Sequence, residues 1–163
     1  MGLTVCPAAV VAAPVEVVWG NLVQWERWSE RFDRSFQAER SEPEGPATVG
    51  QTIYFAGKAF GRTLHFIFKV EEVNPERHQL GLHAFSPFGL QGKAHIACYP
   101  IDATTCRVQY DEEAIFPPGW WGWFLETFGA KTIAASVEDS LQRLKRASER
   151  QYQQGQAKSA SFF

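Results

Sequence analysis

Among the residues of this chain, Glu112 stands where a side chain can do chemistry. Between Cys106 and Phe116, the residues Val108, Tyr110, Glu112 and Ala114 alternate with Arg107, Gln109, Asp111 and Glu113. A period of two puts the first set on one face of a strand, so Glu112 carries a carboxylate on an otherwise apolar face, two residues beyond a tyrosine. A turn around Asp102-Ala103-Thr104 permits a hairpin register that pairs Cys98 with Val108, Ile96 with Tyr110 and Ala94 with Glu112. The small partner Ala94 leaves the carboxyl room. A carboxyl withdrawn from water keeps its proton to higher pH, which suits it to act as a general acid or base, or to hold the polar end of a ligand. The competing expectation is that Glu112, close to the strand end, reaches solvent or pairs with Arg62 and does nothing chemical.

His83 is the second proton-transfer candidate beside Tyr110. It alternates with Leu82 and Ala84 and shares a face with Phe85, which leaves its direction open. His65 and His95 fall opposite the apolar sets of their strands and are expected at the surface. The four histidines, with His78, show no spacing to acids that makes a metal site and no triad order, and no glycine-rich phosphate loop follows a strand. No metal, nucleotide or other cofactor is expected. Cys6, Cys98 and Cys106 form no close pair, so reduced thiols, a cytoplasmic setting and no leader or lipid attachment are expected. With 16 Lys and Arg against 18 Asp and Glu and a net charge of −2, nothing marks a nucleic-acid partner.

The elements that position these groups are mostly short. Leu3 to Ala12 reads as a first strand, ending near Pro14, which can open a helix. Val15 to Val23 and Gln24 to Phe32 read as two short helices, the second with Trp25, Trp28 and Phe32 spaced by three and four. Further strands are expected at Ser35 to Arg40, Gln51 to Ala56, Thr63 to Val73, His78 to Phe85, Gln91 to Ile101 and Cys106 to Phe116. Loops fall at Ser41 to Pro46, at the hairpin Gly57 to Gly61, at Asn74 to Arg77 and at Ser86 to Gly89. In Thr63 to Val73, Leu64, Phe66, Phe68 and Val70 share one face and His65, Lys69 and Glu71 the other.

After Phe116-Pro117-Pro118-Gly119-Trp120-Trp121-Gly122-Trp123-Phe124, no proline interrupts the chain up to Gln154. Phe124, Phe128, Ala134, Val137, Leu141 and Leu144 give this long helix an apolar stripe to lay on the sheet. Asp139 and Arg143 are spaced for an i,i+4 pair, and Gly155 is the expected stop. Phe116 to Val137 is apolar enough to weigh as a membrane span, but Glu126, Lys131 and the glycines argue against it. Consecutive helical rings cannot all face one core. Trp120, Trp121 and Trp123 are therefore open to three readings: a gate for an apolar ligand, a transient foot on a membrane surface, or rings packed under loops with one making a dimer contact. Six Trp and thirteen Phe point to a bulky core or to a ring-lined cavity.

Strand, two small helices, a meander of about six strands and one long helix is an order that resembles the START-like helix-grip superfamily. Within it the chain is most similar to the polyketide cyclase/dehydrase and lipid-transport family. The resemblance is carried by Ala13-Pro14-Val15-Glu16-Val17-Val18-Trp19 at the helix opening, Trp25 and Trp28, Val49-Gly50, Val70-Glu71-Glu72-Val73-Asn74-Pro75 and the closing helix. It implies an α+β fold, a curved antiparallel sheet of six or seven strands around the C-terminal helix, spanning residues 1–153 with a flexible tail at 154–163. It also implies an apolar cavity between sheet and helix. The candidate lining is Trp28, Phe55, Leu64, Phe66, Phe68, Phe85, Phe88, Ile96, Tyr110, Glu112, Trp120, Trp123, Phe124 and Phe128. The expected partner is a hydrophobic small molecule, lipid, isoprenoid or polyketide-like, bound by a monomer or homodimer. The fold hosts carriers and enzymes alike. Carriage of such a ligand is one expectation, and an aromatase/cyclase or dehydratase using Glu112, with Tyr110 or His83, is the alternative.

Overall fold

Pro7 splits the first expected strand. A proline has no N–H to give a ladder, and Leu3 to Ala12 becomes two strands, β1 (Gly2–Val5) and β2 (Ala8–Val11), in a computed structural model that describes residues 2–59 and 61–161. Both lie antiparallel on the strand β8 (Thr105–Ile115), and at the break the Tyr110 N–H donates to the Pro7 carbonyl at 3.0 Å. Pro14 precedes α1 (Val15–Val23) as expected. The second helix is shorter than its periodicity suggests: a 3₁₀ turn at Trp25–Arg27, then a single turn, α2 (Trp28–Arg31). Its indoles fix it in place. Trp25 Nε1 donates to Gly45 O at 2.7 Å and Trp28 Nε1 to Leu22 O at 2.8 Å.

The remaining strands are β3 (Phe36–Glu42), β4 (Thr52–Ala59), β5 (Arg62–Asn74), β6 (Gln79–Phe85) and β7 (Gln91–Asp102). The hairpin after β4 is tighter than expected, since β4 continues through Gly57 and Lys58; Phe60 lies outside the described residues. Among the described residues eight strands make one antiparallel sheet in the order β1-β8-β7-β6-β5-β4-β3, with β2 also on β8. The expected β7–β8 register is the observed one: Cys98 faces Val108, Ile96 faces Tyr110 and Ala94 faces Glu112. Irregularities between Ala38 and Arg40, Val70 and Glu72, and Pro100 and Asp102 interrupt the pairing. Bulges of that kind bend and twist strands, which lets the sheet wrap the helix.

That helix is α3 (Gly119–Ser161), 43 residues long. Gly155 does not stop it: a glycine lowers helix propensity without forbidding the helix, and the chain continues for six more residues. The stripe also differs at its start. Phe124 and Phe128 are exposed, and the residues turned toward the sheet are Trp121, Leu125, Ile133, Val137, Leu141 and Leu144. The close approach at Gly122 sets this rotation, because a Cβ there would sit 1.5 Å from the Pro117 carbonyl oxygen. Asp139 takes Arg34 rather than Arg143, at 2.8 and 3.1 Å. Arg143 instead donates to the carbonyls of Ser29, Glu30 and Phe32, satisfying the open C-terminal end of α2.

One core holds sheet, short helices and α3 together. Trp28 stacks on Phe55 at 5.7 Å, Phe55 meets Phe68 at 4.8 Å, and Phe36 meets Phe66 and Phe68 at 5.0 and 5.1 Å. Leu141 and Leu144 are fully buried against this cluster. The substitution Leu141→Asp should therefore cost roughly 3 kcal/mol or more, read as a large fall in melting temperature, whereas a melting temperature equal to the parent's would mean that α3 stands free. Removing residues 155–163 should change stability by less than about 0.5 kcal/mol, since residues 153–160 are exposed and exposed positions carry little.

Candidate functional site

A cavity of about 250 Å³ lies between the inner face of the sheet and α3, just below the usual range for small-molecule pockets. The sheet supplies Phe66, Phe68, Leu82, Ala84, Ala94 and Ala114, α2 supplies Trp28, and Phe32 and Phe36 close one side. From α3 come Thr132, Ile133, Ser136 and Val137. The cavity exists because both surfaces become small at the same level. Alanines and Gly92 line β6, β7 and β8 where α3 offers Thr132 and Ser136. Ser86, Leu90 and Gln91, beside Phe85, form its edge at the β6–β7 turn.

Three ionisable groups line this apolar space: Asp33, Tyr110 and Glu112. Glu112 sits on β8 two residues from Tyr110, and its carboxyl lies over Gly92, where an added Cβ would come within 2.7 Å of Oε1. The register had placed Ala94 opposite; the clearance that matters most is the diagonal Gly92. Loss of water pushes the Glu112 pKa up to about 8, the nearby Asp33 charge adds to the rise, and the hydrogen bond from the Tyr110 hydroxyl opposes it. At neutral pH the carboxyl holds its proton. Tyr110 is driven well above its ordinary value, first by burial and then by the Glu112 charge. Its ring packs on Phe32 at 5.4 Å. Asp33 follows α2, and burial raises its pKa against the Ser35 N–H, which donates to Oδ1 at 2.8 Å. Among the described residues no ion pair joins Glu112 to Arg62.

Of the sequence-derived candidates, Trp28, Phe66, Phe68, Phe85, Tyr110 and Glu112 line the cavity. His83 does not. Its ring lies on the other face of β6, with Nε2 2.9 Å from Gln91 Oε1 and Nδ1 3.3 Å from Glu71 Oε1, and it packs on the Phe85 ring at 4.2 Å. Lys69, His83 and Lys93 stand side by side across β5, β6 and β7, so alternation alone carries His83 to the outer surface. Phe55 and Ile96 are fully buried in the core, and Leu64 is a partly buried residue packed against that core. Phe88 belongs to the β6–β7 turn, its ring 6.3 Å from Phe66. Trp120, Trp123, Phe124 and Phe128 point away from the cavity, with Trp120 77% exposed. Trp121 is the ring that turns inward, donating Nε1 to Phe88 O at 3.0 Å. Asp33, Phe32, Phe36 and the α3 residues were missed as lining. Phe32 gave a signal as the last member of the Trp25 and Trp28 spacing, with Asp33 directly after it, and Val137 gave one as a member of the apolar stripe of the long helix.

Among the described residues no group of three or more His, Cys, Asp or Glu is placed to hold a metal ion, and no helix is long and apolar enough to cross a membrane. Cys98 and Cys106 are buried, and desolvation raises both thiols, Cys106 to about 11. Neither is an activated nucleophile.

Solved structures with this architecture include the Zhui aromatase/cyclase from Streptomyces sp. R1128, at 13% identity and a TM-score of 0.67, covering 92% of this chain and 95% of that one. A norcoclaurine synthase from Thalictrum flavum matches at 12% identity and 0.64, covering 93% and 96%. A START superfamily protein from Mycobacterium smegmatis matches at 15% and 0.61, covering 93% and 97%. Identities this low speak for the fold alone. No curated protein matches the sequence. The family profile described as polyketide cyclase / dehydrase and lipid transport matches residues 5–149, which takes in the sheet from the end of β1 onward, α1, α2, the cavity and most of α3, and the chain belongs to that family.

Proposed function

We propose that this protein binds a hydrophobic small molecule in the cavity between the sheet and α3, and that Glu112 moves a proton to or from it in a reaction of the cyclase or dehydratase kind. One observation carries the reading: Glu112, Tyr110 and Asp33 converge on a single apolar, ring-lined space. A cavity built only for carriage needs no such convergence.

The chemistry follows from the state of the carboxyl. Protonated at neutral pH, Glu112 acts as a general acid toward a carbonyl or hydroxyl oxygen. In a dehydration the C–O bond breaks as the Glu112 proton goes to the departing hydroxyl, water leaves, and the carboxylate takes a proton from the adjacent carbon as the double bond forms. Tyr110 steadies the carboxylate in that interval through its hydrogen bond. The apolar walls exclude competing water and fold a flexible chain into reacting distance. Carriage remains the second reading, favoured by the aliphatic and aromatic character of the rest of the lining, and it assigns Glu112 to holding the ligand's polar end.

Burial of Glu112 has a consequence for stability. Its folded pKa lies above the unfolded value, so between about pH 4.5 and 8 the unfolded chain has released a proton that the folded protein keeps. Stability falls as pH rises through that window and levels off above it. The parent should lose on the order of 3–5 kcal/mol more than Glu112→Gln across it, measured by denaturant unfolding at each pH; parallel curves would place the carboxyl in water. A saturable change in Trp emission is expected with an apolar fluorescent probe, because Trp28 lines the cavity. A folded protein that takes up no such probe has no usable cavity. With a turned-over substrate, Glu112→Gln should lower the rate by about a hundredfold or more while probe affinity stays within about tenfold. Parental turnover in the variant would remove Glu112 from the chemistry and leave carriage.

A further inference from the structure

The cavity lining is unbalanced in charge. Two carboxyls, Asp33 and Glu112, reach it from different elements, and no Lys, Arg or His is among the residues that line it. Asp33 senses two cations outside the lining, Arg143 and the adjacent Arg34, and both are engaged elsewhere: Arg143 donates to the carbonyls of Ser29, Glu30 and Phe32, and Arg34 pairs with Asp139. A buried carboxylate needs a counter-charge or a proton. For Glu112, within the protein alone the proton is the available answer, and a ligand can supply the other.

The rest of the wall narrows what that ligand is. Trp28, Phe32, Phe36, Phe66 and Phe68 line the space, and aromatic rings attract cations as well as apolar surface. A carboxylate or phosphate end would meet like charge with no donor cation beside it. Fatty acids and acyl phosphates are therefore disfavoured. A protonated amine would gain a charge-assisted hydrogen bond from either carboxylate and lie among rings that favour it. Gly92 keeps the Glu112 carboxyl directed at this space, since a side chain there would collide with it.

Resting on the binding half of the function proposed above, we propose that the molecule bound in this cavity carries a basic nitrogen on an aromatic or alicyclic body, with the ammonium group seated between Asp33 and Glu112. The cavity is thus a site for hydrophobic amines.

Competition against an apolar fluorescent probe tests this with three ligands of one shape: naphthylethylamine, naphthylethanol and naphthylpropionate. The parent should bind the amine at least about tenfold more tightly than the alcohol, and the carboxylate most weakly. In Asp33→Asn and Glu112→Gln, each checked for cooperative melting well above the assay temperature, the ratio of amine to alcohol affinity should fall toward one. Asn at position 33 can still accept the Ser35 N–H, so that variant keeps the local turn. Equal binding of amine and alcohol by the parent, or tighter binding of the carboxylate, overturns the amine assignment and leaves the cavity as a binding site. A ratio unchanged in both variants overturns it as well, by separating the preference from the two carboxyls. If neither the probe nor any of the three ligands binds folded parent, the binding function itself falls.

Discussion

The inner face of the sheet must be covered, and α3 covers it unevenly. Along Leu141 and Leu144 the helix is in full contact with the core and excludes water. One to two turns earlier, Thr132 and Ser136 are too small to reach alanines on β6, β7 and β8, and the space between them is the cavity. Close packing elsewhere keeps that gap from collapsing, because interiors pack like crystals and the surrounding elements cannot all move in. The paired rings of Trp28, Phe55, Phe68 and Phe36 act as the fixed side wall. Arg34 to Asp139 and Arg143 to the end of α2 tie the helix to the segment that carries Asp33.

The electrostatics of the site follow from that geometry. Glu112 is placed by strand alternation, given clearance by Gly92, and denied water by the walls. It rests protonated. Asp33, arriving from the far side, makes a second negative charge on Glu112 harder to hold, which is the coupling expected of two carboxyls sharing one low-dielectric space. A site so arranged either hands a proton to its ligand or accepts a ligand that brings positive charge. The two uses are compatible, since a bound ammonium would ionise a carboxyl and so prepare a base.

Much of this was legible in the sequence where local rules govern. The alternation of Val108, Tyr110, Glu112 and Ala114 and the turn at Asp102 gave both the face and the register correctly, because a period of two and a short hairpin leave little freedom. The family assignment, drawn from element order, matches residues 5–149. The failures have separate causes. Phe124 and Phe128 lie on a stripe that fits helical spacing, but the rotation of α3 is fixed by contact between Gly122 and Pro117, which spacing does not reveal. His83 was ambiguous because Leu82, Ala84 and Phe85 give no clean pattern. Asp33 sits in a short connection with no period at all, and its role is created by the return of β8, which brings Glu112 to the same cavity.

The chemistry of the site rests on Glu112 being a carboxyl withdrawn from water in a cavity between sheet and helix. Its titration in the ligand-free protein tests that most directly, followed by NMR of labelled glutamate side chains with Glu112→Gln identifying the resonance. The account predicts a midpoint near 8, well separated from the other glutamates. A midpoint at the ordinary glutamate value of about 4.3 would place the carboxyl in solvent and contradict it.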